Sequence, residues 1–164
     1  MKDCPHVDPG DDAIERRNPT GFDQAVAPHP AALSRAREEL RSQLASWRLS
    51  EPNIEDILLI HSELVTNAMQ QGTEKPITVT VHHGAGGDRS AGRLPADQIA
   101  PKEIKMVVTN RDSVDRVPHP DFWHPAGLLA NTGRGLLIVG SLSDRVEVSE
   151  DDSQVAVTSW YQLG

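Results

Sequence analysis

Basic residues are scarce in this sequence, cysteine is almost absent and long apolar runs do not occur. Each shortage removes a class of function. Lys and Arg number 16 against 24 Asp and Glu, a formal net charge of -8. Broad binding to nucleic acid or to an anionic membrane needs clustered cations, so neither is expected. No apolar run approaches the ~18 residues that would suggest a membrane span. The opening stretch MKDCPHVDPGDDAIERRN has no apolar segment of the signal-peptide kind. The one cysteine, Cys4, can form no intramolecular disulfide and sits among polar residues. The expectation is a cytoplasmic protein. What is present, 37% hydrophobic and 24% charged residues over 164 positions, suits one globular domain with a sizeable core.

Residues 1–27 are polar, carry scattered Pro, Asp and Gly, and show no periodicity, so they read as a mobile tail ahead of a domain at 28–164. From Pro30, Leu33, Ala36, Leu40, Leu44 and Trp47 follow helical steps of three and four, with Arg35, Arg37, Glu38, Glu39 and Arg41 between them. A second helix follows LSEPNIED. Ser50 suits its N-cap, Pro52 its first turn, and Glu51, Glu55 and Asp56 the positive end of its dipole. Ile54, Ile57, Leu58, Leu64, Val65 and Ala68 form its core stripe, and Gly72 ends it. The β-branched runs PITVTVHH (76–83) and EIKMVVTN (103–110) read as a hairpin with an oversized loop. Three prolines, Pro118, Pro120 and Pro125, rule out a long helix over 111–131. TGRGLLIVGSLSD then gives a glycine-rich turn and a short helix, and RVEVSE and QVAVTSWYQL two more strands. This order predicts an α/β fold of the two-layer α+β sandwich type, with a mixed, mostly antiparallel sheet and helices on one face.

Within the second helix, Leu59, Glu63, Asn67 and Gln71 form another stripe, each four residues apart. That spacing puts a carboxylate and an amide on one face. The amide oxygen suits Mg²⁺, a hard ion that often bridges protein to phosphates. The carboxylate suits orienting or deprotonating a hydroxyl. Equally, both residues fit the wet side of a two-sided helix. In NTGRGLLIVG, Gly133 and Gly135 flank Arg134 just ahead of an apolar helix. Small residues let backbone approach a phosphate, and N–H groups at a helix start face negative charge. A tight loop entering a helix would show the same pattern. The third glycine is wrongly spaced for a dinucleotide-binding turn.

Taken together, SELVTNAMQQG resembles the N box, and TGRGLLIVGSLSD the second glycine box, of the histidine-kinase-like ATPases. Among these the chain is most similar to the small anti-sigma-factor serine/threonine kinases and related bacterial regulators of actinobacterial type. The helix ALSRAREELRSQL, the strand IKMVVTN and the ending VAVTSWYQL agree, so the resemblance spans about residues 25–163. It implies a Bergerat-type ATP-binding fold with ATP and Mg²⁺ as cofactors. By position, Asn67 matches the Mg²⁺-coordinating asparagine and Glu63 the acidic residue proposed as catalytic base. Gly133, Arg134, Gly135 and Leu136 match the phosphate-holding turn, and Thr158 a strand threonine near adenine. Residues 112–132 would form the lid. Where those proteins carry an adenine-binding aspartate, this chain has Asn110, with Asp112 two residues on; Asn110→Asp is therefore expected to tighten ATP binding. Gln71 stands where a histidine is frequent, and Ser113 lies where a glycine often does.

The implied function is a kinase that acts as an anti-sigma factor and phosphorylates an anti-sigma-factor antagonist. The alternatives are a switch that sequesters a sigma factor or antagonist without transfer, and an interaction domain that has lost ATP. Related proteins are often homodimers, so a second copy is a further candidate partner. Other residues have plainer readings. His82 and His83 point to opposite faces of a strand, and His119 and His124 flank prolines; none carries metal-ligand spacing. Glu150, Asp151 and Asp152 read as a solvated turn, Trp47 and Trp160 as core, and Trp123 as a candidate partner contact.

Overall fold

The computed structural model describes residues 20–84, 102–112, 117, 119–122 and 134–164. Strand β1 (Gly21–Val26) leads into α1 (Ala31–Ser46) and α2 (Glu51–Gln70). Then come β2 (Ile77–Gly84), β3 (Glu103–Arg111), a 3-10 turn (Pro120–Phe122), α3 (Arg134–Leu142), β4 (Arg145–Glu150) and β5 (Gln154–Gln162). The strands form one sheet in the order β1-β2-β3-β5-β4. Every pairing is antiparallel, so the expected mixed sheet is antiparallel throughout its described strands.

Alternation along the strands sorts the two faces. Val79 and Val81 of β2, Ile104, Met106 and Val108 of β3, and Val155 and Val157 of β5 are buried beneath the helices. Ile54, Ile57, Leu58, Leu64, Val65 and Ala68 of α2 meet them, as the helical stripe requires. From α1 come Ala36, Leu40 and Leu44. Trp47 is only half-buried at the end of α1, its ring edge-on to His83 at 4.7 Å. Trp160 is buried, but its register places it on the opposite face of the sheet, where the Arg145 guanidinium lies 3.7 Å from its ring centroid.

Strand β1 corrects the expected tail. Its six residues pair with β2 from Gly21↔His82 to Val26↔Ile77, so ordered structure begins before residue 28. The inward Gln24 disguises the pattern. Its Nε2 donates to the Ala36 carbonyl at 3.2 Å, and its Oε1 lies 2.7 Å from His61 Nε2. Since that oxygen can only accept, His61 carries its proton on Nε2. His61 is fully buried on α2, and its Nδ1 has no hydrogen-bond partner among the described residues. Burial, with the Arg37 cation nearby, pushes the His61 pKa down to about 4.

Helix α2 is held to the sheet at both ends. Near its start the Tyr161 hydroxyl of β5 donates to Asp56 Oδ2 at 2.8 Å and lies 3.0 Å from Asn53 Oδ1. Burial and the Asp56 carboxylate push the Tyr161 pKa up to about 12. Ser50 occupies the N-cap position but makes no side-chain capping bond. Gly72 follows the helix with φ of 80°, the left-handed conformation that favours glycine. Thr73 Oγ1 then donates to the Arg111 carbonyl at 2.7 Å, tying the turn to β3. The acidic turn is closed by Asp151, whose carboxylate accepts from Ser153 N at 2.8 Å and Gln154 N at 2.9 Å. These bonds hold its pKa below the usual carboxylate range. No helix among the described residues is long and apolar enough to cross a membrane.

Candidate nucleotide site

Helices α2 and α3 bound a groove of about 340 Å³ lined by Glu63, Thr66, Asn67, Gln70, Arg134, Gly135, Leu136 and Ile138. The two motifs legible in the sequence therefore meet. The contact between them is close: a Cβ at Gly135 would lie 2.3 Å from Glu63 Oε2. Only glycine lets the Glu63 carboxylate rest against the first turn of α3. Glu63 and Asn67 are half-buried and Arg134 is exposed. Leu136 is 1% exposed, so its side chain anchors α3 in the core while its backbone N–H remains in the first turn. First-turn N–H groups have no acceptor inside their own helix.

The Gly135 contact carries a prediction. The clashing atom is the far end of a flexible side chain, and alanine favours helix over glycine by roughly 0.5–1 kcal/mol. Gly135→Ala should keep its thermal midpoint within a few degrees of wild type while a crystal structure shows Glu63 rotated out of the groove. An unmoved carboxylate beside a shifted α3 would mean that the backbone yields instead.

Asn110 lies at the end of β3 on the helix-facing side, 2% exposed. Its Nδ2 donates to the Ala68 carbonyl and to Gln71 Oε1, both at 3.0 Å. Its Oδ1 is buried with no hydrogen-bond partner among the described residues. Asp112 does not share this position. It is exposed, with φ of 55°, and its carboxylate pairs with Lys75 while its N–H donates to the Ser153 carbonyl at 2.9 Å. The register of β3 has not slipped. Thr158 does not join the site either. On β5, Ser159 meets Ser143 at 2.7 Å and Tyr161 meets α2, so Thr158, of opposite parity, faces away from the helices. The β5 residue paired with Asn110 is Val155. Gly133 and most of the expected lid at 112–132 lie outside the described residues, as do Cys4, Trp123 and His124.

A histidine kinase-like ATPase domain model matches residues 26–159. The chain belongs to that family. The ATPase-like fold is similar to the crystal structure of the RsbU and RsbW domains of Rv1364c from Mycobacterium tuberculosis, at 18% identity and a TM-score of 0.57. That match covers 87% of this chain but only 32% of the other. It is also similar to the SiaB–SiaC complex from Pseudomonas aeruginosa, at 11% identity and a TM-score of 0.56, covering 85% of this chain and 89% of that one. Among curated proteins no sequence matches.

The residues present fit a nucleotide. The Glu63 carboxylate and the Asn67 amide make no side-chain hydrogen bond or ion pair with the described residues, and neither does the Arg134 guanidinium. Asn110 Oδ1 is a further polar atom without a hydrogen-bond partner among the described residues. No group of three or more His, Cys, Asp or Glu that could hold a metal occurs among the described residues. The Asn67 amide oxygen would suit Mg²⁺, which takes few protein ligands when phosphates and water complete its shell. Sequence reasoning missed the Gln71–Asn110 bond, because residues 39 positions apart in the chain show no pairing signal.

Proposed function

We propose that this chain is an ATP-binding regulatory serine/threonine protein kinase of the anti-sigma-factor type, acting on an anti-sigma-factor antagonist. The observation that carries this reading is the convergence of Glu63, Asn67 and Arg134, none paired through its side chain with a described residue, on one groove at the start of α3. When bound, ATP would supply the phosphoryl group and Mg²⁺ would offset its charge. Asn67 Oδ1 would hold the ion, and Arg134 with the first-turn N–H groups of α3 would hold phosphate oxygens. Gly135 lets Glu63 stand beside them, where its carboxylate would orient the partner's hydroxyl and take its proton. Catalysis of this kind rests on positioning and charge. The family match supports ATP binding, and the similarity to a protein crystallised as the SiaB–SiaC complex supports a protein partner.

Asn110, a neutral acceptor, favours a second reading: a switch that binds nucleotide and sequesters a sigma factor or antagonist without transfer. Two measurements decide. A fluorescent ATP analogue with MgCl₂ should bind wild type, and Asn67→Ala should weaken it about ten- to a hundredfold, as loss of one charge-assisted contact would. Equal affinity would remove Asn67 from the site. Proteins captured from the native cell should then acquire phosphoserine or phosphothreonine when incubated with γ-labelled ATP. Nucleotide binding with no labelled partner supports the switch.

A further inference from the structure

Four strands carry one row of side chains across the outer face of the sheet, away from the helices. The register aligns His82 of β2, Lys105 of β3, Trp160 of β5 and Arg145 of β4. Neighbouring strands lie about 4.8 Å apart, so the row is continuous. Trp160 is 9% exposed. The Arg145 guanidinium lies 3.7 Å from its ring centroid and the Lys105 ammonium 5.4 Å. An indole face attracts a cation, and this one holds two. Two like charges held so close repel each other. Their local neutralisation is incomplete. Glu147 lies 3.7 Å from Arg145 with both side chains more than half exposed, and no carboxylate among the described residues pairs with Lys105. Of the other acids on this face, Glu103 accepts from Gln162 Nε2, and Asp23 stands on β1, one strand beyond His82.

We propose that the outer face of the sheet is a docking surface for an acidic segment of a partner protein, gripped by Lys105 and Arg145 and prearranged by Trp160. Ordinary surface cations lose rotamer freedom when they engage a carboxylate, whereas the ring has already restrained these two. Acidic residues one turn apart on a helix have Cβ atoms about 5–6 Å apart, close enough to reach both cations. The observations favour protein over nucleic acid. The indole face is occupied by the guanidinium, so no base can stack on it. A polyphosphate would also run past the row onto a chain of net charge -8, while a short acidic patch feels only charges within about 10 Å. A second copy is disfavoured as well, because a two-fold contact of this face with itself would set cations against cations. The α2–α3 groove lies on the helical side of the sheet, so a partner docked here leaves that groove open.

The test follows the anisotropy of fluorescein-labelled octaglutamate titrated with the full chain at low salt. Wild type should bind, more weakly as salt rises. Lys105→Gln and Arg145→Gln should each weaken binding about two- to fivefold, and the double variant about tenfold. Arg35→Gln removes the same charge from α1, across the sheet, and should change nothing. Trp160→Leu keeps both cations but frees them, and should weaken binding severalfold; Trp160→Phe keeps an aromatic floor and should stay near wild type. A carbodiimide, which couples amines to carboxylates in contact, should join the peptide to Lys105, as read by mass spectrometry. No binding by wild type overturns the proposal, as does an equal loss in Arg35→Gln or full binding by a folded Trp160→Leu protein. Tighter binding of labelled octathymidylate than of octaglutamate also overturns it and gives the face to nucleic acid. Sedimentation showing self-association that Lys105→Gln abolishes overturns it in favour of a second copy.

Discussion

Glu63→Gln is expected to retain nucleotide and lose phosphoryl transfer. The carboxylate lies in the groove against Gly135, and no described residue pairs with it. Glutamine preserves the side chain's length and most of its packing, so the groove keeps its shape. What disappears is the carboxylate among the described groove residues that could take a proton from an incoming hydroxyl. A positioned general base is worth typically ~10²–10⁴ in rate. Transfer from γ-labelled ATP to the captured partner should fall by about that factor, with affinity for the ATP analogue changed by less than about threefold. Transfer at the wild-type rate would exclude Glu63 as the base. A matched loss of binding and transfer would make it a ligand-holding residue instead.

Acidification should weaken the fold through His61. In the folded chain this imidazole resists protonation down to about pH 4, whereas an unfolded histidine takes a proton near 6.5. The unfolded state therefore binds the extra proton first. The contribution of neutral His61 is fully present above pH 6.5, shrinks as the pH falls, and is gone below about 4. Linkage over that interval amounts to about 3 kcal/mol. Gln24 from β1 bonds to the ring, and the Arg37 cation from α1 lies near it. Urea unfolding at pH 7.5, 6.0, 5.0 and 4.5 should show the loss for wild type and a flatter profile for His61→Leu. The same slope in both proteins would assign the acid sensitivity to carboxylates.

The helices and four strands were legible because their apolar residues keep one period throughout. The stripe from Ile54 to Ala68 is buried as its spacing demands, and Gly72 ends the helix with the expected positive φ. Strand β1 was hidden because its central inward residue, Gln24, is polar and answers to His61 and Ala36, partners no local pattern can reveal. The site divides the same way. Glu63 with Asn67, and Arg134 with Gly135, sit within short motifs whose spacing carries their geometry, and they meet in one groove. Thr158 was misplaced by parity, since a single-residue difference along a strand changes the face. Asn110 ends β3 as the sequence indicated, but its bonds to Ala68 and Gln71 were not legible, because those partners come from the far end of α2.

The two walls of the groove are not mounted alike. Tyr161 fastens one end of α2 to the sheet, and Asn110 with Thr73 fastens the other. Shifting this helix would break hydrogen bonds at both of its ends. The α3 wall is held differently, by the buried side chains of Leu136 and Val139.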